Sequence, residues 1–328
     1  MFMRVNSKCA HQVRPPPDAG HRRGRSSRRS VPDRSTRGPL RVLRLFFSTL
    51  STAYTRAHES CCQATTHVVR FSHMDHWFSV IAASSELPAD SVKELDEVGF
   101  VVIPGPVAPP QLSGLAAVYD AAVSAADPAD VGGGRTTTRV WDFVNRAPDF
   151  DGLYVYQPIL EACCRVIGAP FHLSTMHARA VNPGAPAQDL HADYRRTTDG
   201  WPMVGFIFMV DKFRRDNGAT RFVPGSHRWP HAPSDVMQDT TADYEGQVSA
   251  CGPAASVVIY NGSVWHGHGA NQTKEPRRSI QGAYIRRDDK QGMNQAARMR
   301  PETLARIGAL AKYVLNIESQ LPVPDARL

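Results

Sequence analysis

Gln188-Asp-Leu-His-Ala-Asp193 is the stretch whose reading decides this chain. His191 and Asp193 stand two positions apart, and on a strand residues i and i+2 point to the same face. An imidazole and a carboxylate placed in that way can grip one metal ion without bending the backbone. Outward from there, Trp265-His266-Gly-His268-Gly-Ala-Asn271 brings a second imidazole from a remote segment. Two imidazoles and one carboxylate, His191, Asp193 and His266, make a facial set that leaves three positions open on an octahedral Fe(II). Arg277 follows His266 by 11 residues. Its planar guanidinium suits a carboxylate through two parallel hydrogen bonds, and the distal carboxylate of 2-oxoglutarate is such a target. Ser279, on the same face of the predicted strand, adds a hydroxyl donor. An H-x-D tripeptide in a chain with 13 histidines carries little weight alone. The company it keeps is what points to a non-haem iron centre.

Around these blocks the sequence alternates short strands with turns. Strands are predicted over 171–181, 189–193, 203–210, 220–223, 256–260, 264–267 and 279–285, separated by Gly, Pro and Asn turns such as Asn182-Pro-Gly184. Such a run argues a sandwich or small barrel. The first half of the domain reads as helical over 91–98, 109–126 and 158–167, with Phe100–Ile103 as an apolar strand closed by Pro104-Gly105. Gly132-Gly-Gly134 reads as a flexible break, 139–141 as the start of a strand, and 301–317 as a closing helix.

The 328 residues suit one large domain or two modest ones. Hydrophobic content of 42% and charged content of 21% fit a globular protein with a sizeable core, and no apolar run approaches the roughly 20 residues of a membrane span. The net charge of +7 misleads as a sign of nucleic-acid binding, because residues 1–75 hold 14 Lys/Arg against 4 Asp/Glu, leaving 24 against 27 for the remainder. No specific nucleic-acid partner is expected. The basic, Ser-rich, acid-poor segment 1–75 is read as a disordered tail, with a transit peptide or a start assigned too early as its origins, and 76–328 as the functional domain. Cytoplasmic placement is expected, or mitochondrial if the tail is a transit peptide. The six cysteines show no C-x-x-C spacing, and Cys163 and Cys164 sit in an apolar helical run as small buried hydrophobes.

Residues from about 90 to 286 resemble the phytanoyl-CoA dioxygenase family of Fe(II)- and 2-oxoglutarate-dependent oxygenases. The resemblance is carried by Val98-Gly-Phe-Val-Val-Ile-Pro-Gly105, Gln188–Asp193, Asn217-Gly218 with Pro224-Gly-Ser-His227, and His266–Asn271 with Arg277. It implies a mostly β fold with flanking helices, the double-stranded β-helix or jelly roll. It implies His191, Asp193 and His266 as metal ligands, Arg277 as the cosubstrate anchor, and Fe(II), 2-oxoglutarate and O2 as the reagents. Gln188, Ser279 and His268 are expected near the cosubstrate. His268 departs from the family, where Ser is common, and it rivals His266 for the metal, with His266 favoured by its place in the motif. A carboxylate at position 193 argues for hydroxylation, since Gly or Ala there opens a site for halide in related halogenases. The family acts on acyl-CoA thioesters, small compatible solutes and secondary metabolites; no CoA-binding motif is evident here.

Other polar residues read less sharply. Pro224-Gly-Ser-His227 is expected to be a structural turn. His172 and His177 are expected to be structural, with Arg179 on the face of His177 and within reach of the site. Arg195 and Arg196 are expected at the pocket mouth, where an anionic substrate would meet them. Trp141 and Trp201 read equally as pocket or core. A non-catalytic, cupin-like metal-binding protein is the competing reading.

Overall fold

The structure is a computed structural model that describes residues 76–317; the basic segment 1–75 and the last residues of the chain lie outside the described residues. Its frame is a sheet of seven antiparallel strands in the order β1-β8-β5-β10-β4-β3-β2, facing a smaller sheet β7-β6-β9. The strands are β1 (Phe100–Pro104), β2 (Val131–Gly133), β3 (Thr137–Val140), β4 (Phe171–Val181) and β5 (Met203–Met209), followed by β6 (Thr220–Phe222), β7 (Val248–Ser249), β8 (Ser256–Asn261), β9 (His266–His268) and β10 (Arg277–Arg286). Two facing antiparallel sheets with helices packed outside one of them form a jelly roll, as the family resemblance implied.

Strand periodicity sorts the side chains into two cores. Val204, Phe206 and Phe208 of β5 and Val257 and Ile259 of β8 point to the helices, where they join Ile159, Leu160 and Cys163. The intervening Ile207, Met209, Val258 and Tyr260 point between the sheets and meet Phe100, Phe213 and Phe222. Both faces of β5 are thus buried, which is why its sequence reads as a continuous apolar run rather than alternating. Helix α1 (Ala89–Val98) ends at Gly99 with φ 92°, and helix α3 (Gln157–Ile167) ends at Gly168 with φ 67°. Glycine at such left-handed positions stops a helix cheaply. Each apolar side chain that α3 buries against the large sheet contributes roughly 1.5–3 kcal/mol.

Several boundaries differ from the sequence reading. The helix expected over 109–126 is a 3-10 turn, Pro109–Gly114, followed by α2 (Leu115–Ser124). The helix expected over 301–317 is two short ones, Pro301–Arg306 and Ala309–Val314, separated at Gly308. Gly132-Gly133, read as a break, lies in strand β2 paired with β3. Residues 189–193 form no strand; His191 makes an isolated bridge to His266. A register shift at Ala283/Tyr284 passes over Ser174 on β4, so the inward face changes parity there. Leu173 and Phe171 beyond it and Met176 and Ala178 before it therefore all reach the helical core, leaving His177 and Arg179 directed inward. Cys163 is buried and a free thiol. Among the described residues no helix is long and apolar enough to cross a membrane.

Close packing makes Gly205 indispensable. It pairs with Tyr260 across β5 and β8, and a Cβ there would fall 2.1 Å from the Tyr260 ring. Gly205→Ala is expected to destabilise the fold by about 1–3 kcal/mol, whereas Gly133→Ala, which meets nothing within 4 Å, stays near neutral. Urea unfolding of the two variants checks this; equal midpoints would contradict it.

Burial also pushes five histidines well below their ordinary value of 6.5: His172, His227, His266 and His268 to about 4, and His177 to about 3. These rings fold neutral, so as pH falls from 6.5 toward 4 the unfolded chain binds protons that the folded chain refuses. Stability is therefore full above that window and lost through it, by up to ~1.4 kcal/mol per pH unit for each ring. The Tm of metal-free protein is expected to drop steeply across the window; a flat profile would contradict the neutral, buried rings.

Candidate metal centre

The segment carrying His191 is tied to the small sheet by backbone hydrogen bonds. His191 N–H donates to His266 O at 2.9 Å, His266 N–H returns to His191 O at 2.8 Å, and Gln188 N–H donates to His268 O at 2.9 Å. These bonds bring the two remote motifs into register. Arg221 reinforces them, its guanidinium donating to the carbonyls of Gln188 and Thr241 at 2.7 and 3.0 Å.

His191, Asp193 and His266 then converge. His191 Nε2 lies 3.7 Å from Asp193 Oδ1, and His266 Nε2 lies 3.6 Å from Asp193 Oδ2. The three ligand atoms sit within 4.8 Å of one another. Donors on one face of an octahedron, each about 2.1 Å from a metal, lie about 3 Å apart, so the arrangement fits one ion. The ring orientation fits as well. Nδ1 of His191 donates to Asp189 O at 2.8 Å and Nδ1 of His266 donates to Val264 O at 2.9 Å. A carbonyl only accepts, so each Nδ1 carries the proton and each Nε2 presents its lone pair. Burial holds His266 neutral, and the Tyr260 hydroxyl donates to Asp193 Oδ2 at 3.0 Å.

Deeper in the barrel stands Arg277, only 1% exposed at the start of β10. One Nη donates to Gly218 O at 3.0 Å, and the guanidinium lies 4.1 Å from the centre of the Phe213 ring. Its Nε and other Nη are buried with no partner. Burial, followed by the charge of Arg179, pushes its pKa down to about 9. A buried cation with idle donors is costly unless an anion joins it. His268 shares this region; its Nδ1 donates to Gly269 O at 2.8 Å and its Nε2 is buried without a partner. His268 lies outside the three-residue metal cluster.

Other expected residues divide by location. A narrow pocket of about 10 Å³ beside His266 is lined by Arg179, Gln188, Thr220, Tyr260 and His268. The hydroxyl of Ser279 donates to Arg179 O at 2.9 Å, so its proton is committed to the backbone. The cavity lined by His191, Asp193 and His266 measures about 390 Å³ and includes Arg139, Trp141, His177 and Arg179. Arg195 and Arg196 line a different cleft of about 700 Å³, which includes His191 but neither Asp193 nor His266. Arg195 lies 3.6 Å from Asp235, and Arg196 stacks over Trp201 at 4.7 Å. Trp201 donates to His227 O at 3.2 Å. Ser226 Oγ donates to Val223 O at 2.7 Å and accepts from Trp265 N–H at 2.8 Å, so this turn braces the strand that leads to His266. Sequence reasoning passed over Tyr260 and Arg139. Tyr260 ends an apolar strand with no motif around it, and Arg139 belongs to a segment where only a short strand was expected.

The family model for phytanoyl-CoA dioxygenase matches residues 95–279, which is more than half of the chain and includes His191, Asp193, His266 and Arg277. The dioxygenase cdmA of Talaromyces verruculosus is 40% identical over 130 residues, covering 37% of this chain and 42% of that one. The multifunctional dioxygenase prhA of Penicillium brasilianum is 30% identical over 231 residues, covering 64% of this chain and 75% of that one. The chain thus spans less than half of the first relative and three quarters of the second. Among solved structures, HygX from Streptomyces hygroscopicus with nickel, 2-oxoglutarate and hygromycin B bound superposes with a TM-score of 0.51 at 16% identity, covering 62% of this chain and 90% of that one. At that identity the likeness is one of fold. By its matched span, and by its similarity to prhA over most of that protein's length, this chain belongs to the phytanoyl-CoA dioxygenase family.

Proposed function

We propose that residues 76–328 form an Fe(II)- and 2-oxoglutarate-dependent dioxygenase domain that hydroxylates a C–H bond of a small molecule, with release of succinate and CO2. The observation that carries this reading is Arg277, a buried guanidinium with two idle donors in the same barrel as the His191, Asp193 and His266 cluster. Iron and 2-oxoglutarate, when bound, would supply the activation of O2, 2-oxoglutarate providing two of the four electrons that O2 takes up and the substrate C–H bond the other two.

The residues of the chain hold and orient these groups. His191 and His266 offer neutral Nε2 atoms whose direction is set by the carbonyls of Asp189 and Val264. Asp193 offers one oxygen to the metal while the other accepts from Tyr260, which limits rotation of the carboxylate. Arg277 receives the far carboxylate of the cosubstrate in a pocket walled by Phe213, where low polarity strengthens the pairing. Gln188, Thr220 and His268 line the path between the two ends. The carboxylate at position 193 occupies the position that a halide would need, which favours hydroxylation. The substrate enters the cavity of about 390 Å³ from the β3–β4 side. Placement in the cytoplasm, or in mitochondria with 1–75 as a transit peptide, accords with this chemistry.

Anaerobic titration with Fe(II) and 2-oxoglutarate is expected to develop the visible charge-transfer band of the chelate. Arg277→Ala should weaken the apparent affinity for 2-oxoglutarate by at least about tenfold, and His266→Ala should abolish the band. No band in the wild type would defeat the dioxygenase reading and favour a cupin-like metal-binding protein. Tyr260→Phe keeps the ring over Gly205 and removes only the hydrogen bond to Asp193. Its Fe(II) affinity is expected to fall roughly 10- to 100-fold. An unchanged dissociation constant would show that Tyr260 plays no part in holding Asp193.

A further inference from the structure

The largest cavity among the described residues, about 700 Å³, lies beside the metal cavity rather than within it. Residues 194–197 bound it on one side and residues 227–234 on the other, with Ser263 and Trp265 buried at its floor. Three arginines line it, Arg195, Arg196 and Arg228, and among the described residues no aspartate or glutamate does. A cleft lined by charge of one sign concentrates ions of the other. The surroundings leave these arginines poorly matched. Arg195 stands 3.6 Å from Asp235 Oδ2, beyond hydrogen-bond distance, and that oxygen already accepts from Ala232 N–H at 2.6 Å. Arg196 lies over the Trp201 ring at 4.7 Å and makes no hydrogen bond or ion pair among the described residues. Arg228 donates to the backbone oxygen of Asp96 and has no carboxylate partner among the described residues. Elsewhere half-exposed arginines are paired with acids: Arg165 with Asp96, and Arg298 with Asp130 and Asp142.

Two of the guanidinium groups act on one spot. Burial first, then the charges of Arg228 and Arg196, push the pKa of His227 down to about 4, and that ring also lines the cleft. At the floor Ser263 is 6% exposed, and its hydroxyl has no partner among the described residues, which leaves a donor for an incoming acceptor. Apolar surface lies alongside. Trp229 is half-buried and edge-on to Trp265, with ring centres 5.0 Å apart, and Tyr194 is 45% exposed. His191 and Tyr194 line both the cleft and the metal cavity, so the two spaces are neighbours across that pair of residues.

We propose that this cleft binds the oxyanion end, carboxylate or phosphate, of an elongated substrate whose apolar body passes over His191 and Tyr194 into the metal cavity. The proposal rests on the dioxygenase reading, which puts the reacting carbon at the metal cluster and assigns nothing to the cleft. Arg196 and Arg228 grip the oxyanion, with Arg195 as a third cation and Ser263 as a hydroxyl donor below it. Trp229 gives an apolar body a flat surface to lie on. A neutral molecule of the same shape gains nothing from the arginines, so charge at the far end decides which molecules are held.

The test uses full-length protein and three probes of one shape: naphthyl phosphate, naphthoate and the uncharged naphthamide. Each is titrated calorimetrically into protein loaded with Ni(II) and 2-oxoglutarate, and in parallel into metal-free protein. In both preparations at least one anion is expected to bind more tightly than naphthamide by roughly tenfold or more, and the tighter of the two names the oxyanion. Arg196→Met and Arg228→Met should each remove most of that preference while the Fe(II)–2-oxoglutarate band keeps its midpoint within about twofold of wild type. Arg228 also holds the backbone of Asp96, whereas Arg196 touches no polar partner, so Arg196→Met reads the site with Tm unchanged. With Mn(II) at the metal cluster, the NMR signals of the bound anion's ring protons are expected to broaden, because His191 lines the cleft. The proposal is overturned if naphthamide binds as well as both anions, if the preference survives Arg196→Met or Arg228→Met, or if it appears only in metal-loaded protein. Sharp signals beside Mn(II) overturn it as well, since the bound anion would then lie away from the metal. A missing Fe(II)–2-oxoglutarate band in the wild type would defeat the dioxygenase reading instead, and the metal-free titration with the two substitutions would still decide the cleft.

Discussion

Two backbone hydrogen bonds, exchanged between His191 and His266 at 2.9 and 2.8 Å, are the constraint on which the site depends. The segment from Gln188 to Asp193 belongs to no strand and has no ladder of its own to hold it. It is fixed by single contacts at successive points: Gln188 to His268, Leu190 to Thr240, His191 to His266, and Tyr194 to Gly262. Because one of these contacts joins His191 to His266, the same pairing that closes the barrel also brings the His191, Asp193 and His266 cluster together. Leu190, Val223 and Trp265 pack behind the seam and keep water from competing for its hydrogen bonds.

The second constraint is electrostatic. The interior gathers Arg277, Arg179 and Arg139, with the charge of Asp193 acting on Arg179 and that of Asp211 on Arg277, and burying these cations costs stability. Phe213 partly screens Arg277, and two glutamine amides partly satisfy Arg179, yet several N–H groups stay idle. Idle buried donors of this kind are tolerated where a ligand completes them. The neutral histidines around the site follow the same logic: burial keeps their lone pairs free where a charged imidazolium would repel both metal and arginine.

Much of the architecture was legible in residue patterns. Alternating apolar spacing marked β4, short runs between Gly, Pro and Asn turns marked β8 and β10, and glycines at 99 and 168 marked the ends of α1 and α3. The misreadings share a cause. At Gly114 and Gly308 the apolar period continues through a residue that interrupts the helix, so periodicity alone overruns the break. At 189–193 the i, i+2 spacing suggested a strand, but a strand exists only where a partner ladder runs alongside, and the neighbouring chain offers a single bridge. Arg195 and Arg196, expected at the pocket mouth, line the adjoining cleft, which shares His191 and Tyr194 with the cavity of the His191, Asp193 and His266 cluster.

What the sequence determined alone was the donor chemistry. By type and order, His191, Asp193, His266 and Arg277 supply two imidazoles, a carboxylate and a planar guanidinium, donors suited to a metal and to an anion. Which further groups share the cavity was decided only by tertiary structure. Tyr260 reaches Asp193 across 67 residues of chain because Gly205 leaves room for its ring. Arg139 meets Arg179 only through the pairing of β3 with β4, and the register shift on β10 helps set which face of β4 looks inward. Sheet register is settled by packing between distant segments, and a one-residue change would turn each of these side chains to the opposite face.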